Sequence, residues 1–139
     1  MTFDSSRFRD AQAPVWGRVR AELSAGQKES HWMWFIFPQL ANLGRSTTAK
    51  HFGLSGMDDA ADYLADPVLG PRLAEAAHLM LRHAGKPAEA VLGPVDAGKL
   101  RSSMTLFSRV PGADPVFAAV LAAFHDGQPC ARTLAELGC

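Results

Sequence analysis

Between Ser30 and Gly44 the chain carries no lysine, arginine, aspartate or glutamate. The first part of that stretch, Ser30-His31-Trp32-Met33-Trp34-Phe35-Ile36-Phe37-Pro38-Gln39, is apolar on every side in any regular conformation. A segment without a polar face has to be enclosed by the rest of the molecule. It falls short of the roughly 20 apolar residues that cross a bilayer, and Pro38 and Asn42 interrupt it, so it reads as a core segment and not a membrane span. Four of the twelve aromatic residues lie within six positions here, which makes this the centre around which the remaining chain is expected to pack.

What encloses it is expected to be helical. Alanine and leucine number 38, against 14 for valine, isoleucine and threonine together, a ratio that favours helix over sheet. Phe8, Ala11, Val15, Val19 and Leu23 recur at three and four residues, with Ser5 or Ser6 as the first cap and Gly26 as the stop. Pro14 lies inside this run and predicts a kink or two pieces, the second beginning at Pro14. The apolar Ser30–Pro38 segment reads as a short helix, Gly44 to Phe52 as a turn and a short helix, and Asp58 or Asp59 as the start of another through Leu64.

Asp66-Pro67 predicts a capped start for Leu69, Leu73, Ala76 and Met80, ending at Gly85. Pro87 to Leu92 and a helix capped by Asp96 and running through Phe107 follow. Pro115 to Phe124 and Ala131 to Leu137 complete the chain. With no repeat and no long linker, residues 1–139 read as a single all-α domain, a compact array of seven to nine mostly short helices.

Several function classes are excluded by absence. Fourteen basic residues balance fourteen acidic ones, so the footprint of a general nucleic-acid binder is missing. Residues 1–50 hold seven basic and four acidic groups and 51–139 seven and ten, a mild split that carries little weight. No Walker loop, Gly-x-Gly-x-x-Gly, His-Glu-x-x-His, paired Cys-x-x-Cys or EF-hand loop occurs, so no metal and no cofactor is expected. Gly53-Leu54-Ser55-Gly56-Met57 lacks the final glycine of a nucleophile elbow. His78 and His83 point about 140° apart on a helix and read as solvated groups. Cys130 and Cys139 are too close to the chain end to form a disulfide framework, and Met1 to Asp10 has no apolar signal run, so the compartment reads as cytoplasmic.

Two constellations remain. In the first, His31 and Gln39 carry polar groups into the most apolar part of the chain, where each needs a partner. Either Trp32 and Trp34 are plain core, with His31 and Gln39 satisfied internally, or Ser30, His31 and Gln39 line a pocket walled by Trp32 and Trp34 that stacks a flat ring. In the second, Leu100, Met104 and Phe107 form a helical core stripe, with Asp96, Lys99 and Ser103 along a half-wet border. Either Lys99 bridges Asp96 as an ordinary three-apart pair, or Lys99, Arg101, Ser102 and Ser103 hold an anion such as phosphate near the helix start. Arg45, Ser46, Thr47 and His51 form a weaker anion candidate, better read as a capped helix start, and Gln12 borders a buried face.

The strings Phe8, Ala11-Gln12, Ser30 to Leu40, Asp66-Pro67-Val68-Leu69-Gly70-Pro71-Arg72-Leu73 and Lys99 to Phe107 together resemble the bacterial domain-of-unknown-function family 1810, whose members are often labelled calpastatin-like. The resemblance covers nearly the whole chain and implies a helical fold, with no catalytic residues to carry over. Calpain inhibition uses long disordered repeats, the opposite of this apolar, repeat-free chain.

The leading expectation is therefore one pocket between the 30–39 and 96–107 segments, taking a phosphorylated, ring-bearing ligand such as a nucleotide or ADP-ribose. If that pocket is catalytic, His31 is the general acid or base, with Asp96 second and Lys99 stabilising the anion. The alternative is a non-enzymatic interaction or regulatory protein with the aromatic segment as core, and a homodimer through an apolar helix face is compatible with either.

Overall fold

The computed structural model describes residues 3–44 and 46–138. Among these the chain is all-helical, with ten α-helices, one more than the upper end of the sequence expectation. The extra helix comes from Pro14, which separates α1 (Ser6–Gln12) from α2 (Trp16–Ala25) completely. Pro14 sits in the turn between them instead of opening α2, and Gly26 ends α2 in the left-handed conformation expected of a stop.

The enclosed segment forms only one turn of helix, α3 (Met33–Ile36), followed by a 3-10 turn at Ala41–Leu43. An isolated parallel bridge between Leu40 and Leu54 ties it to the chain beyond α4 (Thr47–His51). Ser46 caps α4, its hydroxyl accepting from the Ala49 amide at 3.0 Å. Arg45, part of the same anion candidate, and Cys139 lie outside the described residues.

α5 (Met57–Ala65) and α6 (Leu69–Leu81) cross closely at Gly70. α6 begins two residues later than the Asp-Pro signal suggests, yet Asp66 still performs the cap, its Oδ1 accepting from the Val68 and Leu69 amides at 2.9 and 3.0 Å. After α7 (Ala88–Leu92) comes α8 (Pro94–Ser108), whose start is set by Gly93 and Pro94; Asp96 lies in its first turn and is not its cap. α9 (Val116–His125) and α10 (Ala131–Leu137) finish the domain.

α8 is the axis of the fold, packed against α5, α7, α9 and α10. Of the expected half-wet border, Asp96 and Lys99 are half-buried, whereas Ser103 is sealed. Ser102, Ser103 and Thr105 are buried together with Leu100, Met104, Leu106 and Phe107. Two of these hydroxyls bond the helix's own carbonyls, Ser102 facing Gly98 O at 3.2 Å and Thr105 donating to Arg101 O at 2.8 Å, while the buried Ser103 hydroxyl has no partner among the described residues. No helix among the described residues is long and apolar enough to cross a membrane.

Candidate functional site

The placement of the aromatic segment begins with a residue that periodicity passes over. Glu22, on α2, is buried, and its carboxylate accepts from the Glu29 and Ser30 amides at 2.8 and 3.0 Å, from the Ser30 hydroxyl at 2.6 Å and from the Trp32 indole N–H at 3.0 Å. Burial pushes this carboxyl up, but the four donors outweigh it and hold it at about 2. Ser30 and Trp32 are thereby taken out of the expected pocket. Ser30 is spent on Glu22, and Trp32, 1% exposed, belongs to the core.

The two constellations, about sixty residues apart in sequence, meet in space. Lys99 of α8 places its ammonium 3.5 Å from the centroid of the half-exposed Trp34 ring. Asp96 receives Lys99 at 3.3 Å and Lys28 at 2.9 Å, and Lys28 in turn lies 5.1 Å from the centroid of Trp32. The result is an alternating stack of indole, ammonium, carboxylate, ammonium and indole, with a net charge of plus one from its three ions. Lys28 is the member no motif indicated. Its side chain is 8% exposed, and its place beside α8 is set by the Lys28 amide donating to Val91 O of α7 at 2.8 Å next to the turn held by Glu22.

The stack borders two concavities. One is a hollow of about 70 Å³ lined by Lys28, His31, Trp32, Met33, Trp34, Asp96 and Lys99. At roughly 30 Å³ per molecule this space holds a water or two, and it opens to solvent beside the exposed His31. The two residues expected to act as acid and base, His31 and Asp96, therefore face a water-sized space, and Asp96 is already held between two ammonium groups.

Sharing Trp34 and Lys99 with this hollow is an open groove of about 480 Å³, lined also by Gln39, Leu43, Ser46, Ser102, Cys130 and Arg132. Its size falls within the roughly 300–1,000 Å³ range of small-molecule sites.

Of the sequence candidates, Trp34, Gln39, Lys99 and Ser102 line this groove. Ser103 does not: it is 0% exposed. Arg101 turns away as well and donates from Nε to Gln128 O at 2.8 Å, docking the loop before α10. Ser46, one of the four residues of the weaker anion candidate, reaches the same groove from the start of α4, whereas Thr47 is not part of its wall and His51 packs edge-on to Phe52.

Cys130 and Arg132 are the members that sequence reasoning missed. The only signal was position, since they flank the start of a short helix after Pro129. Among the described residues no group of three or more His, Cys, Asp or Glu side chains is placed to hold a metal.

Two other polar residues prove structural. Gln12 is buried, its Nε2 donating to Phe35 O at 2.7 Å and to the Tyr63 hydroxyl at 3.0 Å, while Arg72 donates to its Oε1 at 3.3 Å. His83 is not solvated as expected: its Nε2 donates to Leu23 O at 2.6 Å, satisfying one of the last carbonyls of α2. His78 is exposed, as its spacing implied.

A family model described as protein of unknown function (DUF1810) matches residues 2–137. The chain belongs to this family. The crystal structure of the conserved hypothetical protein Rv1873 from Mycobacterium tuberculosis is similar to this chain throughout, with 47% sequence identity, a TM-score of 0.96, and coverage of 99% of this chain and 98% of that one. No curated protein matches the chain. Neither description assigns an activity.

Proposed function

We propose that the groove between the Trp34–Leu43 segment, α8 and the start of α10 binds a small phosphorylated ligand carrying a flat ring, of the nucleotide or ADP-ribose class. The observation that carries this reading is the Lys99 ammonium seated 3.5 Å from the centre of Trp34 at the wall of a ligand-sized groove. A half-exposed indole supplies a stacking surface. Lys99 and Arg132 supply charge for a phosphate, and the hydroxyl of Ser46 and the amide of Gln39 supply orienting hydrogen bonds. Asp96 and Lys28 lie behind the wall and fix where Lys99 stands.

The test is thermal shift followed by calorimetry with AMP, ADP, ADP-ribose, ribose 5-phosphate and inorganic phosphate. A ligand at a hundred times its Kd stabilises the folded state by about 2.7 kcal/mol, which is readily seen. Lys99→Ala and Arg132→Ala are each expected to weaken binding about ten- to a hundredfold, the usual scale for one charge-assisted contact of about 1.5–3 kcal/mol. Trp34→Ala should weaken ring-bearing ligands more than ribose 5-phosphate. Affinities that are unchanged in both charge variants, or no stabilisation by any of the five ligands, defeat the reading. Hydrolysis is assayed in the same mixtures; turnover lost in His31→Ala is the outcome that would make His31 a catalytic residue despite its place on the smaller hollow.

A second reading, a non-enzymatic interaction protein, has one observation in its favour. A mostly apolar groove of about 500 Å³ lies between α5, α6 and α9, lined by Leu64, Pro71, Val110, Pro111 and Phe117 among others. Sedimentation at rising concentration tests whether a second copy covers it, with Pro71→Arg as the disrupting variant.

A further inference from the structure

We propose that Gly98 and Gln39 form a base-recognition slot in the groove: a nucleobase lies on the bare α8 backbone at Gly98, and the Gln39 carboxamide reads a donor and an acceptor on its edge. This slot rests on the nucleotide reading given above and narrows its ligand from any flat ring to a base with adjacent donor and acceptor atoms.

Two residues of the groove wall are poor choices for stability. Gly98 lies in the interior of α8, where glycine costs stability relative to alanine. Neither crowding nor backbone conformation requires it: an added Cβ would meet nothing within 4 Å, and its φ is not among the positive ones. Gln39 is 9% exposed. Its carbonyl accepts from the Leu54 amide at 3.0 Å, whereas its carboxamide makes no hydrogen bond among the described residues. Unlike the orphaned Ser103 hydroxyl, that carboxamide is not sealed, so it opens on the groove that the residue lines. An unpartnered polar group this deeply buried destabilises a fold unless a ligand meets it. Two such departures in one groove point to binding, since function is where local stability is given up.

The wall around them has the shape for a ring. Val95, Gly98, Lys99 and Ser102 follow one another at three and four residues, so they share one face of α8 over about 10 Å at 1.5 Å per residue. The missing side chain at Gly98 leaves backbone as the floor of that face, which a planar group can approach closely. Val95, 71% exposed, borders this floor and suits contact with a ring and not with a phosphate. The Gln39 carboxamide carries one acceptor, Oε1, beside two donors on Nε2. Its complement is a ligand edge with a donor next to an acceptor, and adenine offers one in its N6 amino group and N7. A bare sugar phosphate, or a ring without the exocyclic group, leaves half of the carboxamide unpaired.

The experiment is calorimetry on the full chain with AMP, purine riboside 5′-monophosphate and ribose 5-phosphate, with a urea midpoint for every variant. Purine riboside 5′-monophosphate differs from AMP only by the missing amino group. AMP is expected to bind about tenfold tighter than it to the wild type, the scale of one hydrogen bond to a group otherwise left unpaired. Gln39→Met keeps the length and removes the amide. It should bring the two nucleotides within about twofold of each other and leave the urea midpoint unchanged or higher. Gly98→Ala should weaken AMP about tenfold and Gly98→Leu about a hundredfold, both with a midpoint above that of the wild type and with ribose 5-phosphate within about twofold.

AMP affinity unchanged in Gly98→Leu overturns the slot, and so does an equal loss of AMP and ribose 5-phosphate. A preference for AMP that persists in Gln39→Met, or a lower urea midpoint in that variant, overturns the role of the carboxamide, the latter by assigning it to the fold. Nucleotide binding that depends on Lys99 but is indifferent to Gly98 and Gln39 leaves the broader reading standing without the slot. No binding of any of the three to the wild type defeats both.

Discussion

Replacing Glu22 by Gln tests the claim that one buried carboxylate organises the aromatic segment. Three of its four hydrogen bonds converge on Oε1, from the Glu29 amide, the Ser30 amide and the Trp32 indole. An amide oxygen can keep those three, so the substitution removes charge and leaves shape. The carboxyl lies at about 2 in the folded protein against an ordinary 4.5. A depressed carboxyl contributes stability that is complete above the unfolded value and is lost as pH falls from about 4.5 towards 2. At about 1.4 kcal/mol per pH unit, the shift corresponds to an upper figure of about 3 kcal/mol at pH 7, decreasing to about 1.4 kcal/mol at pH 3.

Urea unfolding followed by tryptophan fluorescence, for the wild type and Glu22→Gln at pH 7, 5 and 3, measures that difference directly. Asp66 is also held at about 2 by Arg9 and two backbone amides against its burial, but it is present in both proteins and cancels. A gap between the two proteins that stays constant from pH 7 to pH 3 would refute the reasoning. It would mean that the carboxylate charge contributes nothing, and that packing alone holds the turn.

Gly98 and Gly70 separate two roles of helical glycine. At Gly98 an added Cβ meets nothing within 4 Å, so Gly98→Ala should raise stability by about 0.5–1 kcal/mol, read as a higher urea midpoint. At Gly70 the added carbon would stand 2.2 Å from the Leu64 carbonyl oxygen, and backbone cannot move aside as a side chain can. Gly70→Ala should cost about 1–3 kcal/mol or more in the same assay, and a neutral result would disprove the close crossing of α5 and α6. Tyr63, the chain's single tyrosine, is fully buried, and burial raises its phenol well above the usual range. Tyrosinate absorbance should therefore appear only together with the loss of circular dichroism as pH is raised; ionisation before unfolding would contradict the burial.

Much of the fold was legible because it depends on local signals. Gly26 and the Asp66 carboxylate mark boundaries that the structure uses, and the 131–137 helix falls where its pattern places it. The misplacements were also local: Pro14 divides two helices, and Gly93-Pro94 opens α8 three residues before Asp96. Membership of DUF1810 was readable too, because it rests on strings of residue types and needs no coordinates.

The site was only half legible. The all-apolar Ser30–Gln39 segment determines by itself that the chain must enclose it, and the excess of alanine and leucine determines that helices do so, since both are properties of adjacent residues. Which groups face a ligand is decided by tertiary packing. Four elements clasp α8 and seal Ser103, Glu22 claims Ser30 and Trp32, and Lys28 and Lys99 hold Asp96 between them. Loop docking on Thr105 carries Cys130 and Arg132 to a groove with Lys99 and Trp34, although about thirty residues separate them from Lys99 and about a hundred from the indole. Periodicity reports which face of a helix is apolar; it carries no information about how many neighbours cover that face or which distant side chain arrives beside it.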